Sequence, residues 1–104
     1  MSKYNLITLW ESIYPNQTDV YDYTGRRMTK SAIGNPNSRY CPTIDHIRPL
    51  SKGGKDTLNN IVLCNKETNA EKGDSFPDWF ANDKHYQAKR VKGTSDEYDI
   101  FQLQ

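Results

Sequence analysis

Apolar residues recur at helical spacing only near the start of this chain. In YNLITLWESIY, Leu6, Leu9, Trp10 and Ile13 fall three and four residues apart, and Pro15-Asn16 stops the run. That pattern predicts an amphipathic helix over residues 3–14 whose apolar stripe is core rather than binding surface. Beyond it the pattern shortens. YDYTGRRM turns at Thr24-Gly25, and SAIGNPNS, residues 31–38, reads as a loop. RYCPTIDHI has strand character up to His46, with Pro42 marking an edge or a strand start. SKGGKDTLNN is a turn-rich connection, and IVLC, residues 61–64, is a short apolar strand that needs a partner. NKETNAEKG follows as a short helix, with Asn65 placed to cap it and Gly73 to end it.

The order is strand, long loop, strand and helix. FPDWFAND, with Pro77 near a first turn, predicts a further helix, and residues 86–104 read as a hairpin. The trace shows no repeat, low-complexity tract or linker. These features predict one α+β domain over residues 1–104 with its core motif at 40–74.

Composition narrows the picture. Hydrophobic residues make up 35% and charged residues 26%, so few aliphatic side chains are available to close the core and a bound ion would help it. The formal charge is only +1, yet residues 24–92 hold 13 Lys/Arg against 7 Asp/Glu, between acidic ends. A basic middle suits a polyanion, although a solvated charged surface accounts for it equally well. Two cysteines, Cys41 and Cys64, with neither a leader nor an apolar run of spanning length, predict a reducing cytoplasmic setting, no membrane contact and no disulfide. Both cysteines read as small buried residues rather than ligands. Trp79 and Phe80 read as core, and His85 as an exposed surface histidine.

The chemistry gathers between Asp45 and Gly73. If the two strands pair and the helix packs across them, Asp45, His46 and Asn69 share a cleft. Asn65 and Asn69 lie on one helix face, with Lys72 beside Asn69. Hard divalent cations take oxygen ligands, often one or two from protein, so Asp45 with Asn69 is a sufficient set for Mg²⁺, or for Mn²⁺ or another divalent ion in its place. Zn²⁺ would want more nitrogen or sulfur. A neutral His46 can take a proton from water, and Arg48, Lys52, Lys55 and Lys72 are expected to hold phosphates. One obstacle is that consecutive strand residues point to opposite faces, so the strand must end or twist at His46.

DHIRPLSKGGKDTLNNIVLCNKETNAEKGD resembles the HNH endonuclease motif, the ββα-metal fold: Asp-His, Pro, Gly-Gly, an Asn, an apolar strand and Asn-x-x-Lys-Gly. YTGRRM, residues 23–28, is similar to the segment before that motif in the HNH domains of CRISPR effector nucleases. The resemblance implies that Asp45 and Asn69 hold the metal, that His46 is the general base, and that Asn60 is a structural asparagine tying the loop between the strands. It implies cutting of DNA to a 5′-phosphate and a 3′-hydroxyl. Many small HNH proteins also bind a structural zinc through two Cys-x-x-Cys pairs. Here Tyr21 and Thr24 stand at the first pair, and Cys64 has no second cysteine near Asn69, so a four-cysteine zinc site is not expected. Because the run from Leu63-Cys64 to Asn69 is longer than usual, Asn65 is a reserve metal ligand.

The resulting expectation is a metal-dependent DNA endonuclease of phage, mobile-element or restriction type, with Arg26, Arg27, Lys30, Lys89, Arg90 and Lys92 as further DNA-facing charges. One site per chain nicks a single strand, and a homodimer would cut both. The competing reading is a catalytically silent HNH fold that binds nucleic acid or protein and regulates another nucleic-acid machine.

Overall fold

A computed structural model describes residues 2–104. Helix α1 spans Leu6–Ile13, shorter than the expected 3–14, because the Asn5 side chain caps it by accepting from the Thr8 amide at 3.0 Å. Trp10 is fully buried and donates its indole N–H to the Gln17 carbonyl at 2.8 Å. Ile13, expected in the stripe, is instead exposed in the last turn. Strands β1 (Asp19–Tyr21) and β2 (Arg27–Thr29) form an antiparallel hairpin around the Thr24-Gly25 turn. Strands β3 (Pro42–His46) and β4 (Ile61–Asn65) pair antiparallel, with Ile44 opposite Leu63, Asp45 opposite Val62 and His46 opposite Ile61. Helix α2 (Lys66–Lys72) follows β4 directly.

The alternation of strand side chains divides the β3–β4 hairpin into two faces. Ile44, Ile61 and Leu63 pack into a core with Leu9, Trp10, Val20 and Met28. The opposite face, carrying Thr43, Asp45, Val62 and Cys64, turns toward α2 and a second core of Ile47, Trp79, Tyr86 and Tyr98. The hairpin is therefore the middle layer of the molecule. Cys41 and Cys64 are both buried and unbridged.

The segment FPDWFAND does not form the expected helix. Asp78–Ala81 is strand β5, with Trp79 and Ala81 buried and Asp78 and Phe80 exposed, which is a period of two. Asn82 and Asp83, both at positive φ, make a two-residue turn into β6 (Lys84–Arg90). The expected C-terminal hairpin is present as β6 with β7 (Tyr98–Leu103), and β5 extends it to three strands. Trp79 is core as expected, its indole N–H donating to the Tyr23 hydroxyl at 2.9 Å, whereas Phe80 is 66% exposed and stacks on His85.

Between Tyr21 and Thr24, the positions of the resembling family's first cysteine pair, stands a hydrogen-bonded carboxylate. Asp22, buried, accepts from the Thr24 amide, the Thr24 hydroxyl and the Arg26 amide on Oδ1, and from the Asn65 amide and the Thr68 hydroxyl on Oδ2, all within 2.7–3.0 Å. The Thr24 and Thr68 hydroxyl oxygens, each donating to Asp22, lie 3.1 Å apart. This hub fastens the β1–β2 turn to the start of α2, the joint that sets the helix against the hairpin.

Candidate active site

The chain departs from strand geometry at the point the sequence requires. β3 ends at His46; Pro49 and a single 3₁₀ turn, Leu50–Lys52, redirect it. Gly53 caps that turn at φ +87°, a left-handed conformation that suits glycine. Gly54 has a different reason: a Cβ there would lie 1.8 Å from the Arg48 carbonyl oxygen. The Asn60 side chain closes the loop, accepting from the Arg48 amide at 2.9 Å and donating to the Arg48 and Lys55 carbonyls at 3.0 and 2.9 Å.

Because the strand ends there, Asp45 and His46 flank one cleft from opposite faces. The cleft, of about 280 Å³, is lined by Asp45, His46, Pro49, Ser51, Asn69 and Asp74 among others. On the α2 side, Asp45 Oδ2 lies 3.7 Å from Lys72 Nζ and is buried without a hydrogen-bond partner. Burial pushes the Asp45 carboxyl up, outweighing the pull of Lys72, and pushes the Lys72 ammonium down against the pull of Asp45. Asn69 donates its amide nitrogen to Thr43 Oγ1 at 3.1 Å and the Ile44 carbonyl at 3.5 Å, which leaves the side-chain oxygen as its ligand-type atom. On the other side, His46 Nε2 is 2.8 Å from Asp56 Oδ1.

Residues 22–78, just over half of the chain, match the family model described as HNH endonuclease. The chain belongs to the HNH endonuclease family. No curated protein and no solved structure matches it. HNH endonucleases generally act on nucleic acids with a divalent ion, and the oxygen donors here suit one: the Asp45 carboxylate, one oxygen of which has no hydrogen-bond partner, and the Asn69 side-chain amide belong to residues that line the same cleft.

Several other expected contacts fall elsewhere. Lys72 cannot reach a phosphate in solvent, because its side chain is fully buried, with Nζ over the Trp79 ring and 3.2 Å from the His46 carbonyl. Arg48 is engaged in holding the loop, donating to the Lys52 carbonyl at 2.8 Å and the Tyr98 hydroxyl at 3.1 Å. Lys52 and Lys55 are exposed. The reserve ligand Asn65 lies at the far end of α2 from the cleft, its oxygen capping the Glu67 amide and its nitrogen held by the Arg27 and Arg39 carbonyls. Arg26, Arg27 and Lys30 are ion-paired with Glu71, Asp19 and Glu11. The sequence reading missed Asp56 and Asp74. Asp74 is the last residue of the motif run and was given no role there; Asp56 carries no local signal. Among the described residues, no helix is long and apolar enough to cross a membrane.

Proposed function

We propose that this protein is a metal-dependent endonuclease that hydrolyses DNA phosphodiester bonds in the Asp45, His46 and Asn69 cleft. The carrying observation is that Asp45, one of whose carboxyl oxygens is buried with no hydrogen-bond donor, lines the same cleft as His46 and Asn69. A polar atom buried in that way is costly unless something completes it, and Asp45 and Asn69 are the residues that would hold a Mg²⁺ ion in the cleft. Bound there, the ion would supply charge stabilisation to the phosphate and the leaving oxygen.

The chain's own residues do the rest. His46 takes a proton from water, and the resulting hydroxide attacks phosphorus. The bond to the 3′ oxygen breaks, leaving a 5′-phosphate, and that oxygen takes a proton from solvent to become the 3′-hydroxyl. Lys52 and Lys55, exposed on the loop beside the cleft, supply cations to flanking phosphates. At the other end of α2, roughly 10 Å away by helical rise, Arg27 and Arg39 lie over the Tyr40 ring in a groove of about 560 Å³. The groove is mixed in charge, because Glu67 also lines it and Arg27 is paired with Asp19.

The test is nicking of supercoiled plasmid by purified protein with Mg²⁺ or Mn²⁺. Cleavage is expected to stop with EDTA and to fall by about 10²–10⁴-fold in His46→Ala. A folded wild type that shifts DNA on a gel without cutting it under any divalent ion would replace this reading with a silent binding module.

A further inference from the structure

The carboxylate of Asp56 joins three parts of the chain that are distant in sequence. Its Oδ1 is 2.8 Å from His46 Nε2 and accepts from the Ser2 hydroxyl at 2.8 Å; its Oδ2 accepts from the Lys3 amide at 2.7 Å. The loop carrying it is itself fixed, because Asn60 holds the carbonyl of the preceding residue, Lys55. The register puts His46 on the same hairpin face as Ile44 and Ile61, the face that packs toward α1. The chain entering α1 therefore passes the histidine's outer edge, where Ser2 and Lys3 meet Asp56.

We propose that Asp56 is the positioning residue for His46, presenting Nδ1 of a neutral ring to the water that is to be deprotonated. An ionised carboxylate can only accept hydrogen bonds, so a neutral His46 ring carries its proton on Nε2 and its lone pair on Nδ1. The same logic assigns the orienting acid of a nucleophile–base–acid triad, which fixes tautomer and ring angle without itself reacting. Lys3, His46 and Ser2 hold the Asp56 carboxyl well below the ordinary carboxylate range, which keeps it an acceptor throughout the neutral region. Ser2 and Lys3 act as a latch, since the Ser2 hydroxyl takes the second acceptor site on Oδ1 and the Lys3 amide takes one on Oδ2.

This inference rests on His46 being the base, and its test separates the two. Plasmid or labelled-duplex cleavage with Mg²⁺ is measured for wild type, Asp56→Asn, His46→Gly, and the double variant, the last two with added imidazole. Asp56→Asn is expected to lower kcat by about ten- to a hundredfold with KM unchanged, and most of that loss should vanish in the imidazole-rescued His46→Gly background, where no tethered ring needs orienting. An Asp56→Asn enzyme with wild-type kcat, or one that loses equally in the rescued background, overturns the positioning role. Full activity in His46→Gly without imidazole overturns the base assignment instead. Ring ¹⁵N NMR of wild type and Asp56→Asn gives a readout that needs no activity. The neutral wild-type ring should be protonated at Nε2 and the variant should gain the Nδ1–H form, whereas identical tautomers in both would also sink the proposal.

Discussion

Asp22 and Asp45 stand near opposite ends of α2, each with a buried carboxylate oxygen, and they differ in what completes them. Asp22 accepts five hydrogen bonds and ties the β1–β2 turn to the start of α2. Asp45 has one oxygen with no donor and a lysine ammonium 3.7 Å away. A saturated carboxylate has no lone pair to offer a ligand and serves the fold; an unsaturated one, lining a cleft, keeps capacity for a ligand at some expense of stability. Burial without full satisfaction is thus what separates the candidate site from the scaffold, since both groups are aspartates on the same small motif.

Exchanging each acid for its amide gives the sharpest contrast. Asp22→Asn puts an NH₂ group against the Asn65 amide and should lower stability by about 3 kcal/mol, with cleavage falling only as the chain unfolds. Asp45→Asn should leave stability within about 1 kcal/mol, because burial already disfavours the charge that it removes, while cleavage falls by on the order of 10²-fold or more. Denaturant melts beside nicking rates check both, and equal stability losses would erase the distinction.

Next in size is the loop that separates the two faces. Gly54→Ala forces a methyl group against the Arg48 carbonyl and should lower stability by about 2–3 kcal/mol. Gly53→Ala meets only the flexible end of Arg48 and should cost about 1 kcal/mol for its positive φ. Thermal melts of the two variants rank them, and the reverse order would contradict the close approach described for Gly54.

The smallest effect is in acid. Asp56 has its carboxyl held down to about 2 in the fold, below its ordinary value of 3.8. The unfolded chain therefore binds that proton first, so the group's contribution is present above pH 4 and is lost as pH falls from about 4 to about 2. Melting temperatures across that window should drop more steeply for wild type than for Asp56→Asn; parallel curves would show that the Ser2 and Lys3 contacts do not hold the carboxylate.

The sequence exposed the site where its signals were contiguous. Asp45-His46, Gly53-Gly54 and Asn69 through Gly73 sit in one run, and the pairing of β3 with β4 follows from two short apolar strands around a turn-rich loop. It misled where one residue has two readings. Pro77 suggested a helix, while the alternation of Trp79 and Ala81 with Asp78 and Phe80 made a strand. Lys72 looked like a surface cation, yet its stem lies under α2 and its ammonium meets Asp45 and the Trp79 ring. Asp56 was silent because its partners are His46, Ser2 and Lys3, which only the folded hairpin and the chain entering α1 bring together. Asp22 was equally silent: five donors from two segments, residues 24–26 and 65–68, distinguish it, and the second segment is far away in sequence.

The most direct test of the claim that the unsaturated carboxylate is a metal ligand is Mn²⁺ binding followed by electron paramagnetic resonance, on wild type, Asp45→Asn and Asn69→Ala without DNA. The account predicts a single bound ion per wild-type chain, with affinity lost in Asp45→Asn and weakened in Asn69→Ala while both variants stay folded. Binding by Asp45→Asn as tight as that of the wild type would contradict it and return Asp45 to a purely structural role.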